Sequence, residues 1–574
     1  MARAIAFANN DVAEIIWHYS EKLPGCLGFA VYRKEGTPEG NGGWEALPSW
    51  VGFQGQTNPS WKPHQTNEWP IQKFEWKDLS AKRGGSYCYR IVPAFGQPGD
   101  LSLDETQAVT TGAITLTPER GVFRTYFNRG ILSTQFLAHQ IPSGPSGVPD
   151  YKVLTNRIDQ PGDPLRNALA GEIIEGLELL LKRSSQEGGS CYLALYELND
   201  PELIQLLLQG SNLHLILSNT GPDDRENQPV RQALHERDGI EMIDRFVPGG
   251  HIGHNKFCVY VDAGNTPRAV LLGSTNWTDT GLCAQSNNAL VAEDSSLAAT
   301  YLSYWKRLKE DTPADGHAKQ GAALRNANAL PGAQDVKVDE GLATVWFAPN
   351  TPHARSSHPG DNEAVPPDLD QVFELMANAK QAILFLEFMP GRPSVIDKAA
   401  EVAQSNPKLF VRGAVTDQKA AAGYATTLQH RVGEEPVVVQ DEVVPVAAIS
   451  SQFAYWQKEL LKAGPDAHAI IHDKIVVIDP LSPNCIVVTG SHNHGYRASY
   501  NNDENLLIVR GHQALAQAYA VHVMDIYDHY RFRHVMEEQG DKAFSGLDPT
   551  DHWQDKYYDP SKPASGDAGV WFPG

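Results

Sequence analysis

The feature that most constrains this chain is an internal repeat. "HNKFCVYVD" runs from residue 254 to 262 and "HDKIVVID" from 472 to 479, and each is followed by a Gly-Ser-x-Asn stretch, "GSTN" at 273–276 and "GSHN" at 490–493. In a strand, residues i and i+2 share a face, so His254 and Lys256 project together, as do His472 and Lys474. Such pairs are costly to set among buried apolar residues without a purpose. Two matched units would bring the two faces together around one pocket, gathering two imidazoles, two ammonium groups and the side chains of Ser274, Asn276, Ser491 and Asn493. Two cations and several donors neutralise phosphate oxygens, while two histidines divide the roles of nucleophile and acid. That set needs no metal and no other cofactor.

Around the repeat, the texture of the chain changes twice. Residues 1–112 alternate apolar and polar positions in "EIIWHYS", "FAVYRKE", "KFEWKDL" and "YCYRIVPAF", with Gly/Pro clusters between them, which predicts a small all-β sandwich. From residue 113, helical and strand patterns alternate. The run 163–183 places Leu165, Leu169, Ile173, Leu177 and Leu180 on one helical face; "CYLALYEL", "PELIQLLLQ" and "LHLILSN" then read as strand, helix and strand. The same order returns in "LATVWFAP", "DLDQVFELMANA", "AILFLEFM", "VIDKAAEVAQ" and "LFVRGAV". The expected fold class is therefore α/β: a first lobe over 113–317, a linker at 318–340, a second lobe over 341–546, a central mixed sheet in each, and an irregular tail at 547–574.

A chain of 574 residues with 41% hydrophobic content is long enough for these several cores. Its net charge of −21 opposes unsteered attraction to nucleic acid or an anionic membrane. Residues 1–112 hold 10 basic and 12 acidic side chains, so most of the negative charge lies on the part that carries both motifs. The six cysteines form no CxxC pair and read as free buried thiols. The start "MARAIAFANNDVAEIIW" has no basic region leading into an apolar core, and no apolar run approaches the length that spans a bilayer. The expectation is a soluble chain, cytoplasmic or exported without a visible signal peptide.

The doubled pattern H-x-K-x4-D with G-S-x-N resembles the phospholipase D superfamily, the HKD enzymes, over most of residues 113–540. The resemblance implies two phospholipase D-like, pseudo-symmetric lobes, a phosphodiesterase working through a covalent phosphohistidine, and structural roles for Asp262 and Asp479. The second copy fits fully; in the first, Asp262 follows Lys256 one residue late, which a β-bulge would absorb. Family members also carry an acidic side chain thirteen residues after each motif serine. Here that position is Glu504 after Ser491 but Asn287 after Ser274. By the family's cross-over, Glu504 would meet His254 and Asn287 would meet His472. A carboxylate on Nδ1 stabilises the charge on a ring bonded to phosphorus, which assigns His254 as nucleophile, and an amide leaves His472 free to give and take a proton as acid and base. Separately, "LSAKRGGSYCYRIV" resembles the approach to the sixth strand of a fibronectin type III domain, in which a tyrosine, here Tyr87, closes a corner; another seven-stranded sandwich fits the same alternation.

The reading that follows is hydrolysis, or transfer to an alcohol, of a phosphodiester, with a phospholipid as first choice of substrate. It expects transient contact with a membrane or micelle surface, a monomer holding both motifs, and apolar residues of 417–456, "PVVVQDEVVPVAAI" among them, along a lipid tail. A metal-independent HKD nuclease acting on DNA or RNA is the alternative, opposed by the net charge and by the lack of a Lys/Arg run. A non-catalytic scaffold that recruits a protein partner is the second alternative. His522, Asp525 and His529 share a helical face and read as helix surface in preference to a metal site, and Arg124 and Arg129 read as solvated ion pairs.

Overall fold

The computed structural model describes residues 2–60, 62–129, 151–219, 224–313, 316–329, 335–355, 363–391, 393–406, 408–416, 443–445, 471–539, 546–562 and 567–572. They form two compact units. One comprises Met1–Pro118 with Gln517–His522 and Val535–Gly574; the other comprises Glu119–Ala516 with Val523–His534.

The first unit is built on two antiparallel sheets. Ala13–His18 lies between Arg3–Ala8 and Glu75–Asp78 in one, and Gly28–Glu35 pairs with the long strand Ser86–Gln97 in the other. Period-two patterning selects the core: Ala13, Ile15 and Trp17, then Phe29 and Val31, then Tyr87, Tyr89 and Ile91. The Tyr87 hydroxyl accepts the Lys82 N–H at 3.4 Å. Gly85 makes room for the ring, since a Cβ there would lie 2.5 Å from it. Sequence periodicity separates 547–574 from this sheet core, yet the segment helps to fill it. The Trp553 indole donates to the Cys26 carbonyl at 2.9 Å and meets the rings of Phe29 and Phe74 at 5.8 and 5.6 Å. Its short turns Asp551–Gln554 and Asp555–Tyr558 hold that indole in place.

The second unit is mixed α/β and contains both motifs. Its first sheet uses β1 (Glu119–Arg120), β2 (Phe123–Phe127), β3 (Ser190–Leu195), β4 (Leu213–Ser218), β5 (Ile240–Arg245), β6 (Lys256–Val261), β7 (Pro267–Gly273) and β8 (Asn288–Ala292), in the order β1-β2-β8-β7-β6-β3-β4-β5. The second uses β9 (Asp335–Val338), β10 (Gly341–Ala348), β11 (Ala382–Glu387), β12 (Phe410–Val415), β13 (Val443–Pro445), β14 (Ile475–Ile478), β15 (Ile486–Gly490) and β16 (Glu504–Arg510), in the order β9-β10-β16-β15-β14-β11-β12-β13. Strand for strand the two orders are the same. In each sheet the β3-β4-β5 or β11-β12-β13 ribbon is parallel and the remaining pairings are antiparallel.

Local chemistry sets the helices between these strands. Pro201–Gln209 starts at Asp200, whose carboxylate accepts the Leu203 N–H at 3.0 Å, with proline in the first turn. Val395–Ser405 starts on a Ser394/Asp397 capping box. The single helix expected over 163–183 is two, Pro164–Ala170 and Ile173–Glu187, because Gly171 sits at φ 56 between them. A Cβ on Gly171 would come 2.9 Å from the Phe127 carbonyl oxygen, and the five leucine and isoleucine side chains of the pattern still reach one core. Residues 318–340, expected as a linker, supply the helix Ala322–Asn328 and the edge strand β9.

Helix Ser295–Glu310 locks the two sheets together. Tyr301 packs on Phe257 of β6 at 5.3 Å, while Tyr304 stacks on Phe347 of β10 at 4.0 Å and donates to the Ala348 carbonyl. All six cysteines are buried and free. Among the described residues, no helix is long and apolar enough to cross a membrane, and no group of His, Cys, Asp and Glu is arranged to hold a metal ion. His522 and Asp525, expected on a helix surface, are buried.

Candidate active site

Both motif histidines stand just before a strand, not within one. β6 begins at Lys256 and β14 just after Lys474. The physical reason is that the backbone at each histidine bonds to the opposite sheet. The His254 N–H donates to the Asp503 carbonyl at 2.9 Å, and the His472 N–H to the Ser286 carbonyl at 3.0 Å. Gly253–Asp503 and Ser286–Ile471 are matching isolated parallel bridges.

The side chains cross over in the same sense. His254 Nδ1 lies 3.0 and 2.9 Å from the two carboxylate oxygens of Glu504. His472 Nδ1 lies 3.0 Å from Asn287 Oδ1 and 3.1 Å from the Ser274 carbonyl. The polarity of both contacts is fixed by their neighbours. Ser491 Oγ and Asn502 Nδ2 donate to Glu504 at 2.6 and 3.1 Å, making the carboxylate the acceptor. Asn287 Nδ2 donates to the Gly281 carbonyl and Ser274 Oγ donates to Asn287 Oδ1, so the amide oxygen faces the ring. Each Nδ1 therefore carries the proton, and each Nε2 is the nitrogen left for chemistry. The ring centroids are 6.4 Å apart.

The serines behave differently from expectation. Ser274 and Ser491 are fully buried, and each hydroxyl donates to a ring support and accepts the next residue's N–H, from Asn288 at 3.1 Å and Asn505 at 3.0 Å. They position Asn287 and Glu504. Asn276 Nδ2 donates to Glu197 Oε2, and the buried oxygens Asn276 Oδ1 and Asn493 Oδ1 accept no hydrogen bond among the described residues.

Lys256 and Lys474 each donate to the carbonyl of their own motif histidine. Each also lies against an aromatic ring, Tyr196 for Lys256 at 5.0 Å and Phe388 for Lys474 at 5.1 Å. The same two rings pack on His254 and His472, both at 4.9 Å. Sequence reasoning missed this aromatic wall. The signal was available, because aligning "CYLALYE" with "ILFLEFM" puts Tyr196 and Phe388 in one register, each just past its strand. It also missed the residues between histidine and lysine: Asn505 Nδ2 donates to Asn255 Oδ1 at 3.0 Å, and Asn288 Nδ2 to Asp473 Oδ1 at 2.8 Å, two further crossings between the sheets.

Burial and like charge set the electrostatics. Desolvation, then Lys256 and Lys474, hold His254 well below the usual imidazole range. His472 is lowered in the same way by burial, Lys474, Lys256 and His254. Burial and then Lys256 bring Lys474 down to about 7. Burial pushes Glu504 up to about 7, against the pull of Lys256. A site that disfavours its own cations is one that an anion relieves.

The two motif aspartates lie at strand ends away from this chemistry. Asp479 accepts the N–H groups of Lys380, Gln381 and Ala382 at 2.9, 2.7 and 2.8 Å and so fixes the start of β11. Asp262 holds its own hairpin through the Thr266 N–H at 2.9 Å and Arg268 Nε at 2.6 Å, beyond a register shift between Tyr260 and Val261. Arg124 pairs with Glu119. Of the segment 417–456, only Val443–Pro445 falls within the described residues, pairing with β12.

No curated protein sequence matches the chain. Among solved structures, phosphatidylserine synthase of Haemophilus influenzae Rd KW20 aligns at 12% identity over 63% of this chain and 84% of its own, with a TM-score of 0.37. The phospholipase D family member Nuc from Salmonella typhimurium aligns at 19% over 24% of this chain and 87% of its own, TM-score 0.20. Yeast tyrosyl-DNA phosphodiesterase aligns at 9% over 58% of this chain and 86% of its own, TM-score 0.30. Residues 373–525 match the family described as cardiolipin synthase, PLD-like domain. That match takes in His472, Lys474, Asn493 and Glu504, and it supports the PLD-like superfamily for the second half of the chain.

Proposed function

We propose that this protein is a metal-independent phosphodiesterase of the phospholipase D type, acting on a phospholipid by hydrolysis or by transfer to an alcohol. The observation that carries the reading is the crossed support of the two imidazoles, which leaves two Nε2 atoms and two lysines around one space. His254 Nε2 attacks phosphorus; the N–P bond forms and the P–O bond to the leaving alcohol breaks, the alcohol taking a proton from His472 Nε2. Water or an acceptor alcohol then gives its proton to His472 and attacks phosphorus, and the P–N bond breaks. Burial, and after it the repulsion of Lys474 and Lys256, holds His472 neutral; a phosphate anion between the lysines offsets that repulsion, so substrate arrival favours the protonated acid. Glu504 stabilises the charge on His254 while it is bonded to phosphorus, and Asn276 and Asn493 orient the phosphate oxygens.

The same reading takes the two eight-stranded sheets as pseudo-equivalent lobes, residues 1–112 as fibronectin type III-like, and one chain as a complete site. It is tested by incubation with phosphatidylcholine, and separately with single- and double-stranded DNA, all in EDTA. Cleavage of the lipid without metal is the expected result. Cleavage of DNA alone would move the reading to a nuclease, and activity lost in EDTA but restored by a divalent ion would overturn the mechanism.

A further inference from the structure

The dipeptide Asp503–Glu504 holds His254 at more than its ring. The Asp503 carbonyl accepts the His254 N–H at 2.9 Å, the Asp503 N–H donates to the Ile252 carbonyl at 3.0 Å, and Glu504 takes Nδ1. The Asp503 side chain points to Arg245, the last residue of β5, whose side chain is 2% exposed. Arg245 Nε donates to Asp503 Oδ2 at 2.8 Å and Nη2 to Asp503 Oδ1 at 3.4 Å. The rest of the guanidinium is anchored on its own half, Nη2 on Asp311 Oδ2 at 3.1 Å and Nη1 on Thr312 Oγ1 at 3.1 Å. Gln320 Nε2 adds a bond to Asp503 Oδ1 at 2.8 Å.

Among the described residues, His472 has no such device. Its N–H goes to the Ser286 carbonyl, and the buried Ser286 hydroxyl has no hydrogen-bond partner among the described residues. We infer that Arg245 is a positioning residue for His254: through its two bonds to Asp503 it fixes the start of β16, and so sets where Glu504 meets Nδ1. A planar guanidinium suits this task because its fork fixes direction as well as distance, which an ammonium does not. The inference rests on the reading of His254 as the nucleophile, and its structural half is separately measurable.

The test uses the full chain with Arg245→Lys, which keeps the charge and loses the fork, and Asp503→Asn, which keeps an acceptor and loses the charge. With histidine labelled in nitrogen-15, the Nδ1–H resonances of His254 and His472 report each ring's support without substrate. Both variants are expected to shift or broaden the His254 signal and leave that of His472 in place. On a nitrophenyl phosphodiester, kcat is expected to fall by up to about 100-fold with little change in KM, as for a misplaced reacting group. The double variant should be no worse than either single. A His254 resonance unchanged in a folded variant, or equal shifts of both histidines, overturns the inference; if Arg245→Lys does not fold, Asp503→Asn decides it. The His254-specific shift in the variants, together with a wild-type protein that cleaves no diester, would instead refute the phosphodiesterase reading and leave the clamp standing.

Discussion

His254 rests on a carboxylate and His472 on an amide, within surroundings that otherwise correspond: the same strand order, a serine on each support, a lysine on each aromatic ring. The backbone bonds that build the two supports are alike, and the group that meets each ring differs in charge. Two like anions flanking the pocket would favour a proton on both rings, and two amides would favour it on neither. One of each separates the rings' chemistry at a single pH. The second half also carries buried polar groups absent from the matching places of the first: Glu387 with His494, and His492 with Asp368 and Ser499, stand where the first half has Leu195, Trp277 and Thr275. The same strand order thus carries different buried charges in its two occurrences.

The largest expected effect breaks the comparison outright. His254→Ala should abolish both turnover and covalent labelling, while His472→Ala should lower the rate by about 10²–10⁴ by removing the proton donor. The second loss should shrink for a nitrophenyl diester, whose oxygen leaves without protonation. Acid quench and peptide mass spectrometry of the His472→Ala protein should find the phosphoryl group on His254. Phosphate on His472 in the wild type would exchange the two roles.

Asn287→Asp sharpens the comparison by making the supports alike. A carboxylate beside His472 favours the imidazolium, so the ring's pKa rises. If, as proposed, the acid form is the active one, the alkaline limb of the pH–rate profile should move to higher pH, by about one unit. Glu504→Gln should leave that limb in place and lower kcat instead. An unmoved limb in Asn287→Asp would remove His472 from the role of acid.

The lysines permit a stability measurement that needs no substrate. Lys474 is lowered from 10.5 to about 7 by burial and by Lys256. Between those values the folded protein binds fewer protons than the unfolded chain, so the destabilisation from this lysine is full below about 7 and fades as pH rises towards 10.5. Lys474→Met should therefore be inactive but more stable than the wild type at neutral pH, by a few kcal/mol. That margin should narrow across the alkaline range in denaturant titrations. A constant margin would show that the burial of this ammonium is not what costs stability.

These contrasts were unequally legible in the sequence. The histidines and lysines could be singled out by their i, i+2 spacing and the asparagines by the recurring Gly-Ser-x-Asn stretch, and the family's thirteen-residue interval pointed to Glu504 and Asn287. The mixed α/β texture followed from the alternating periods. Periodicity names a face but not its partner, and this is where the reading ran out. It could not show that His254 and His472 bond backbone-first to the opposite sheet, that Ser274 and Ser491 turn inward, or that Trp553 fills a core begun some 500 residues earlier in the chain. Arg245 was invisible for the same reason, because nothing local to it marks Asp503 as its partner.

The smallest effect concerns the two aspartates, which occupy matching motif places and do different work. Asp479 is 6% exposed, lies at φ 49 and takes three backbone N–H groups that open β11. Asp479→Ala leaves those donors without an acceptor and puts a Cβ-bearing residue without a local side-chain bond in the left-handed region, a loss of about 3 kcal/mol. Asp479→Asn keeps an acceptor and tolerates that backbone, so most of the stability should return. Asp262 meets the Thr266 N–H and Arg268 at the end of its own hairpin, where the expected β-bulge is absent from β6, the extra residue lengthens that strand, and the register shift instead skips Arg268 on β7; water can replace both partners. Asp262→Ala should therefore lower the melting temperature by less than Asp479→Ala, and neither should change kcat per folded molecule. Equal losses would mean that the bulged hairpin anchors its sheet as firmly as Asp479 anchors the other. A fall in kcat for Asp262→Ala alone would mean that the late aspartate has shifted β6 enough to move Lys256 and His254.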